Sequence, residues 1–132
     1  MEADKKRCGG FTLAELLITV AIVGVLVAIS IPIFTAQIHK AEVATDEANL
    51  RSYFSVIQAD YISTGEYDLD IGHLYGETGG TDHITYPDGT VVKLKAGKCW
   101  VVRCSPQYKQ TGYQIVYICD KYDCQLTLGI TG

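Results

Sequence analysis

Four cysteines in the C-terminal part of the chain are the residues best suited to shared chemistry. Cys99 and Cys104 form one C-x4-C pair, and Cys119 and Cys124 form a second pair with the same spacing. Two disulfides, in any of three pairings, are one interpretation, because an even number of cysteines outside the cytoplasm favours bridges. A tetrathiolate zinc site is the other, although C-x4-C is looser than the usual C-x2-C knuckle.

The strands expected around these cysteines limit the pairings. In a simple meander, Cys119 and Cys124 flank a four-residue turn, and Cys99 lies near the same end of the sheet. Cys104 would then lie about 17 Å from that end of the sheet, because it is five residues further along the strand and each residue rises ~3.4 Å. Two bridges therefore require that the CWVVRC segment is not one straight strand, or that the connection is not a simple meander.

A single carboxylate, Glu15, lies at the start of a long apolar segment. The 23 residues from Leu16 to Ile38 carry no formal charge, and a helix of that length spans roughly 35 Å, enough for the ~30 Å hydrocarbon core of a bilayer. A buried helix of a soluble domain is disfavoured, because so small a chain cannot surround a helix that is apolar on all sides. A carboxylate beside a membrane span is costly, so Glu15 either meets a cation or reaches back to the headgroups.

The charges that flank the apolar segment predict its orientation. Three bases precede it and three acids follow it closely: Lys5, Lys6 and Arg7, then Glu42, Asp46 and Glu47. Clustered cations stay on the cytoplasmic side, so we expect a single-pass protein with its N-terminus inside and its bulk exported. An ordinary secretory signal is cleaved after an apolar core of about 7–15 residues. Here the small residues Gly9 and Gly10 precede a longer core, so cleavage at that point leaves the helix on the protein.

The sequence at this junction, GFTLAELLITVAIVG over residues 10–24, resembles the cleavage and methylation signature of type IV prepilins. Pseudopilins of type II secretion and competence systems share that signature. Glycine, phenylalanine and the fifth-residue glutamate are in register behind a basic leader that contains Cys8, and the similarity ends near Phe34.

The resemblance implies that a membrane-embedded aspartyl prepilin peptidase cuts between Gly10 and Phe11 and methylates the amine of Phe11. It also assigns Glu15 to filament assembly. The amine of Phe11 on an adjacent subunit would then be the cation that meets the carboxylate. Pro32 lies where pilins often carry a helix-breaking proline.

The helical pattern continues beyond the apolar segment. Large apolar residues recur at helical spacing and should cover the sheet: Val43, Leu50, Phe54, Ile57 and Tyr61. A second stripe of small residues either faces other subunits or is an ordinary helix surface: Ala41, Ala44, Ala48, Ser52, Ser55 and Ala59. We predict one helix from about Phe11 to Ser63, kinked or locally melted at Pro32 and ended by Gly65.

Beyond the helix, residues 64–83 show no steady period and are predicted to form a loop. HITY and TVVKLK flank Pro87-Asp88-Gly89, a hairpin turn in which proline presets φ and glycine supplies the left-handed residue. CWVVRC, YQIVYIC and CQLTL follow as short strands. The fold class is α+β, a long N-terminal helix packed on an antiparallel sheet of about four strands at 84–132. Residues 1–10 form the leader, 11–38 the transmembrane half of the helix, and 39–132 the exported globular domain.

Other residue types form no catalytic pattern. Three histidines are scattered without a serine or cysteine that completes a nucleophile–base pair: His39, His73 and His83. The acids of the predicted loop lack EF-hand spacing and suit a solvated loop better than a calcium site: Glu66, Asp68 and Asp70. We expect no catalysis and no cofactor. Specific nucleic-acid binding is not predicted, because the basic residues of the C-terminal part lie beside an acidic region.

These observations predict the structural subunit of a type IV pilus, which polymerises with copies of itself. The resemblance implies two further partners, the prepilin peptidase and a pilus assembly platform in the inner or cytoplasmic membrane. We expect a membrane protein before assembly and an extracellular filament afterwards. Two alternatives stay open: a pseudopilin of a type II secretion or competence system, and a membrane-tethered adhesin or metal-binding module with the same processing signal.

Overall fold

The computed structural model of the chain describes residues 9–74, 79–105 and 111–129. Its contacts divide the chain into two compact units, the first ending at Gln37 and the second beginning at Ile38. Helix α1 spans Leu13–Thr64. The described strands that follow are β1 His73–Leu74, β2 His83–Thr85, β3 Val91–Lys93, β4 Gly97–Arg103, β5 Tyr113–Cys119 and β6 Gln125–Leu128.

Helix α1 begins and ends at signals that are present in the sequence. The Thr12 hydroxyl accepts a hydrogen bond from the Glu15 N–H, and the Glu15 carboxylate accepts one from the Thr12 N–H, both at 3.2 Å. This reciprocal pair is a capping box. At the other end, Gly65 has φ 75° and donates its N–H to the Tyr61 carbonyl at 2.8 Å, which is a left-handed helix stop. The predicted start and end are confirmed to within two residues.

Pro32 does not interrupt the helix. Helix α1 continues through it, so the predicted local melting is wrong, whereas the kink stays a prediction. A proline removes one hydrogen bond of the helical ladder, the bond to the carbonyl four residues earlier. The backbone on either side remains helical, and the Thr35 hydroxyl donates to the Pro32 carbonyl at 3.0 Å.

The predicted α+β class is confirmed, with a division of the strands that the sequence did not show. One sheet has the order β1-β4-β5-β6, and β2 and β3 form a separate two-stranded sheet. Strands β4 and β5 pair antiparallel along their whole length, from Gly97 opposite Cys119 to Arg103 opposite Tyr113. Strand β6 pairs antiparallel with β5, while β1 pairs parallel with β4. The prediction of one antiparallel sheet at 84–132 is therefore corrected.

The sequence pattern missed β1 but predicted the hairpin of β2 and β3. Strand β1 lies inside the predicted loop, and a strand of two residues is too short to show any alternation of side chains. The hairpin of β2 and β3 is confirmed: Tyr86 N–H donates to the Thr90 carbonyl at 2.8 Å, and Gly89 has φ 87°. Just before β2, Thr81 forms an isolated antiparallel bridge with Cys99 of β4.

The apolar stripe of the helix covers the sheets as predicted. Val43, Leu50 and Ile57 are buried, and Phe54 and Tyr61 pack against them from partly buried positions. Alternate residues of β5 provide much of the opposing face: Tyr113, Ile115, Tyr117 and Cys119. Every member of the small-residue stripe is exposed.

Asp46 is a buried carboxylate, which the sequence pattern showed only as one of the acids that follow the apolar segment. Its side chain has no exposed area. It accepts hydrogen bonds from the N–H groups of Lys95 and Ala96, each at 2.8 Å, and from the Tyr117 hydroxyl at 2.9 Å. Burial and the Asp46 contact both raise the pKa of Tyr117 above its ordinary value. Asp46 therefore fastens the helix to the turn between β3 and β4.

Candidate processing and assembly site

The predicted cleavage site lies in exposed, non-helical backbone just before α1. Phe11 is 85% exposed. A Cβ atom added at Gly9 or Gly10 would meet no heavy atom within 4 Å, and neither glycine has a positive φ. The fold of the chain itself therefore does not require glycine at position 10, and a requirement for it must come from a partner that contacts this segment.

Glu15 has a role in the single chain that the sequence analysis missed. Its carboxylate and the Thr12 hydroxyl form the capping box that starts the helix. The signal was present as Thr12-x-x-Glu15 before an apolar run. A carboxylate offers about four acceptor positions, so Glu15 can bond to the Thr12 N–H and also meet a cation.

The helical segment that follows is apolar and uncovered. Within the described residues, α1 is long and apolar enough to cross a membrane, and none of its most apolar stretch is buried. All residues from 9 to 37 are exposed in the single chain. An all-apolar helix surface is stable only against lipid or against other apolar surfaces.

The cysteines do not form the predicted pair of bridges. Cys119 is joined to Cys124 by a disulfide with a Cα–Cα distance of 5.6 Å, whereas Cys99 and Cys104 are free and buried. Strand β4 pairs with β5 without interruption from Gly97 to Arg103, and β6 follows as in a meander. Cys99 and Cys104 therefore lie about 17 Å apart along extended backbone. The expectation of a second bridge and the tetrathiolate zinc site are both wrong for this reason.

Burial also makes the two free thiols less acidic. It raises the pKa of Cys99 and of Cys104 above the ordinary value for a thiol. Both side chains are nearly inaccessible to solvent. A thiol with a raised pKa holds little thiolate, so neither residue has the properties of a reactive cysteine.

Comparisons with known proteins agree with the N-terminal geometry. A family model described as "Prokaryotic N-terminal methylation motif" matches residues 5–31. The type IV major fimbrial protein FimA of Dichelobacter nodosus is 34% identical over 82 residues, which are 62% of this chain and 50% of FimA. The chain thus spans about half the length of that relative. No solved structure matches the chain significantly.

A second relative is matched over more of its length. The type IV narrow pilus major component PilA5 of Thermus thermophilus is 35% identical over 95 residues, which are 68% of this chain and 81% of PilA5. An alignment of that length extends beyond the first unit, which ends at Gln37. The similarity therefore includes part of the second unit. With that identity over most of the relative's length, the chain belongs to the type IV pilin family.

Proposed function

We propose that this chain is a structural subunit of a type IV pilus, without catalysis of its own, held in the membrane by its apolar helix until it polymerises. One observation carries the proposal: the helix is apolar enough to span a bilayer, yet none of its most apolar stretch is buried in the single chain. Such a surface needs lipid before assembly and neighbouring helices afterwards. Two relatives are named as a major fimbrial protein and a major pilus component, which supports the same function.

Processing of the precursor is the first step of this proposal. A prepilin peptidase cuts between Gly10 and Phe11 and methylates the new amine, while the basic leader stays on the cytoplasmic side of the membrane. The exposure of this segment supports access by an enzyme. Because a side chain at Gly10 would meet nothing within the fold, a requirement for glycine there is best explained by recognition by that enzyme. Cleavage there keeps Thr12 and Glu15, so the capping box of the helix survives.

Assembly is the second step. After the cut, the Phe11 amine of one subunit meets the Glu15 carboxylate of its neighbour, and the pair sets the register of the packed helices. A paired charge is far less costly than a lone carboxylate in an apolar surrounding. The exposed stripe of small residues supports close packing of helices. An assembly platform in the membrane adds each subunit.

Mass analysis of the protein from its own host tests processing. We expect a chain that begins at a methylated Phe11 and that dominates filaments sheared from the cell surface. Gly10→Val should accumulate as uncleaved precursor. Gly9→Val is the matched control, because a side chain at either glycine meets nothing in the fold.

The outcomes separate the alternatives. A chain that still begins at Met1 or is cut after Ile38 would contradict the proposed processing. A processed chain that is abundant in membranes but absent from sheared filaments would indicate a pseudopilin. Filaments that form normally without the chain, but lose binding to a surface, would indicate an adhesin.

A further inference from the structure

Four side chains of metal-binding type converge where β5 ends, within the second unit. They are His39 of α1, Cys119 at the end of β5, and Asp123 and Cys124 in the turn that leads to β6. One ligand atom from each residue lies within 4.8 Å of the other three. Among the described residues this is the one group of three or more such side chains that meets that distance.

The histidine of this cluster lacks a hydrogen-bond partner within the protein. His39 Nε2 is buried and has no hydrogen-bond partner among the described residues. Its nearest acid, Asp123, places Oδ1 at 3.9 Å, too far for a hydrogen bond. The same Oδ1 lies 3.1 Å from Cys119 Sγ, which carries no hydrogen while it is bridged. A buried nitrogen without a partner is destabilising, so a ligand that reached it would be stabilising.

The spacing suits a tetrahedral cation. Zinc binds cysteine sulfur at about 2.3 Å and histidine nitrogen at about 2.0–2.1 Å, which places neighbouring ligand atoms about 3.3–3.8 Å apart. The four atoms already lie within 4.8 Å of one another. Two thiolates, an imidazole and a carboxylate are ligands that zinc prefers, whereas magnesium and calcium prefer oxygen alone.

The disulfide decides when these ligands exist. A bridged sulfur is not a thiolate and does not bind a metal as one. A dithiol reductant supplies two electrons and two hydrogens, breaks the Cys119–Cys124 bond to give two thiols, and is itself converted to a disulfide. Metal binding then releases one proton from each thiol and leaves two thiolate ligands.

We propose that His39, Cys119, Asp123 and Cys124 form a binding site for a zinc-like divalent cation in the reduced chain, and that metal and disulfide exclude each other. Either state closes the turn between β5 and β6. Only the metal also connects that turn to the helix, through His39. The cation occupies the site before the bridge forms, or after a dithiol reopens it. This site is distinct from the four-cysteine arrangement, since it contains only one of the two C-x4-C pairs.

Zinc titration of the full chain in detergent tests the proposal. The reduced chain, prepared with a phosphine that competes little for zinc, should bind one Zn²⁺ per molecule against a chromophoric chelator. The oxidised chain should bind none under the same conditions. His39→Ala and Asp123→Asn should each weaken binding by at least about tenfold. His83→Ala is the matched control, because His83 is an exposed histidine with its own acid, Asp82, at 3.0 Å.

A residue-resolved measurement distinguishes this site from the other thiols. Zinc should slow alkylation of Cys119 and Cys124 in the reduced chain, measured by peptide mass spectrometry, and the Asp123→Asn chain should need at least about tenfold more zinc for the same protection. Asp123 is 68% exposed, so this variant keeps its fold even if His39→Ala does not. Equal binding by oxidised and reduced chains, no binding at micromolar zinc, or wild-type affinity in Asp123→Asn would each overturn the proposal.

Discussion

The first unit of the chain, which ends at Gln37, and the second, which begins at Ile38, differ in where their apolar side chains lie. Those of the first unit are exposed from residue 9 onward, whereas many of those in the second form a buried cluster between helix and sheets. The apolar side chains of the first unit thus need lipid or other subunits to cover them, whereas the buried ones of the second are covered by contacts within the chain. Substitutions in the first unit should change its interactions with lipid and other subunits and leave the free energy of unfolding unchanged. Substitutions in the second unit should lower the free energy of unfolding and leave those interactions unchanged.

The largest effect should come from Glu15→Ala in the first unit. Removing the carboxylate relieves the charge beside the apolar segment, so the subunit should insert and be processed at normal levels. The pairing with the Phe11 amine of a neighbour is lost, so filaments should fall to background when this is the only copy. The yield of sheared fibres, relative to the processed protein in the membrane fraction, measures the effect.

The capping box makes a control necessary for that experiment. Thr12→Ala removes the hydroxyl that caps the helix through the Glu15 N–H but keeps the carboxylate. Filaments should therefore persist in Thr12→Ala. Loss of filaments in both variants would mean that Glu15 acts by starting the helix, and wild-type yield in Glu15→Ala would remove its assembly role.

The second prediction concerns Asp46, the buried carboxylate of the second unit. Asp46→Ala leaves two backbone N–H groups and the Tyr117 hydroxyl without their acceptor. We expect the free energy of unfolding to fall by about 3–5 kcal/mol, as when one partner of a buried charged network is removed. Denaturation followed through Trp100, the only tryptophan of the chain, measures the loss.

Asp46→Asn is the matched comparison for this prediction. The amide keeps one acceptor oxygen but turns an N–H₂ group toward donors, so the loss should be clearly smaller than for alanine. Equal stability of the alanine variant and the wild type would show that the network is not stabilising. Loss of filaments without any loss of stability would contradict the division between the two units.

The two units also differ in how much of them could be predicted from sequence. The methylation motif, the membrane-length segment and the start of the helix depend on residues close together in the chain, and each is readable as a local pattern. Asp46 was missed because its partners Lys95, Ala96 and Tyr117 lie about 50 or more residues away in sequence. An acid after a membrane segment has the same local appearance whether it is exposed or buried.

The cysteines show a second limit. Spacing alone allowed three pairings, and the choice among them depends on whether β4 is straight and how β4 pairs with β5. Cys119 and Cys124 flank the turn of a meander, as expected, whereas Cys99 and Cys104 are not bridged. Strand β1 escaped prediction because two residues hold no periodicity, and its pairing is decided by the neighbouring strand.

The third prediction tests the cysteine assignment. The oxidised, processed chain should expose two titratable thiols in denaturant without reductant, those of Cys99 and Cys104, and almost none while folded. Cys119→Ser together with Cys124→Ser should lower the free energy of unfolding by about 2 kcal/mol, since the bridge closes a short loop. Four thiols in the denatured chain would show that no bridge forms, and none would show two bridges.

The smallest effect should come from Gly65, where a substitution changes only the backbone conformational preference. Its φ is 75°, and a Cβ atom added there meets no heavy atom within 4 Å. Gly65→Ala therefore introduces no clash and costs only the left-handed conformation, about 1 kcal/mol of the free energy of unfolding. Gly65→Asn should cost less, because asparagine tolerates that conformation better than alanine does. Both variants should polymerise normally, since the change lies in the second unit and alters no exposed apolar residue. Equal stability of glycine, asparagine and alanine at this position would mean that the helix end relaxes to another conformation and that the left-handed stop does not contribute to the fold.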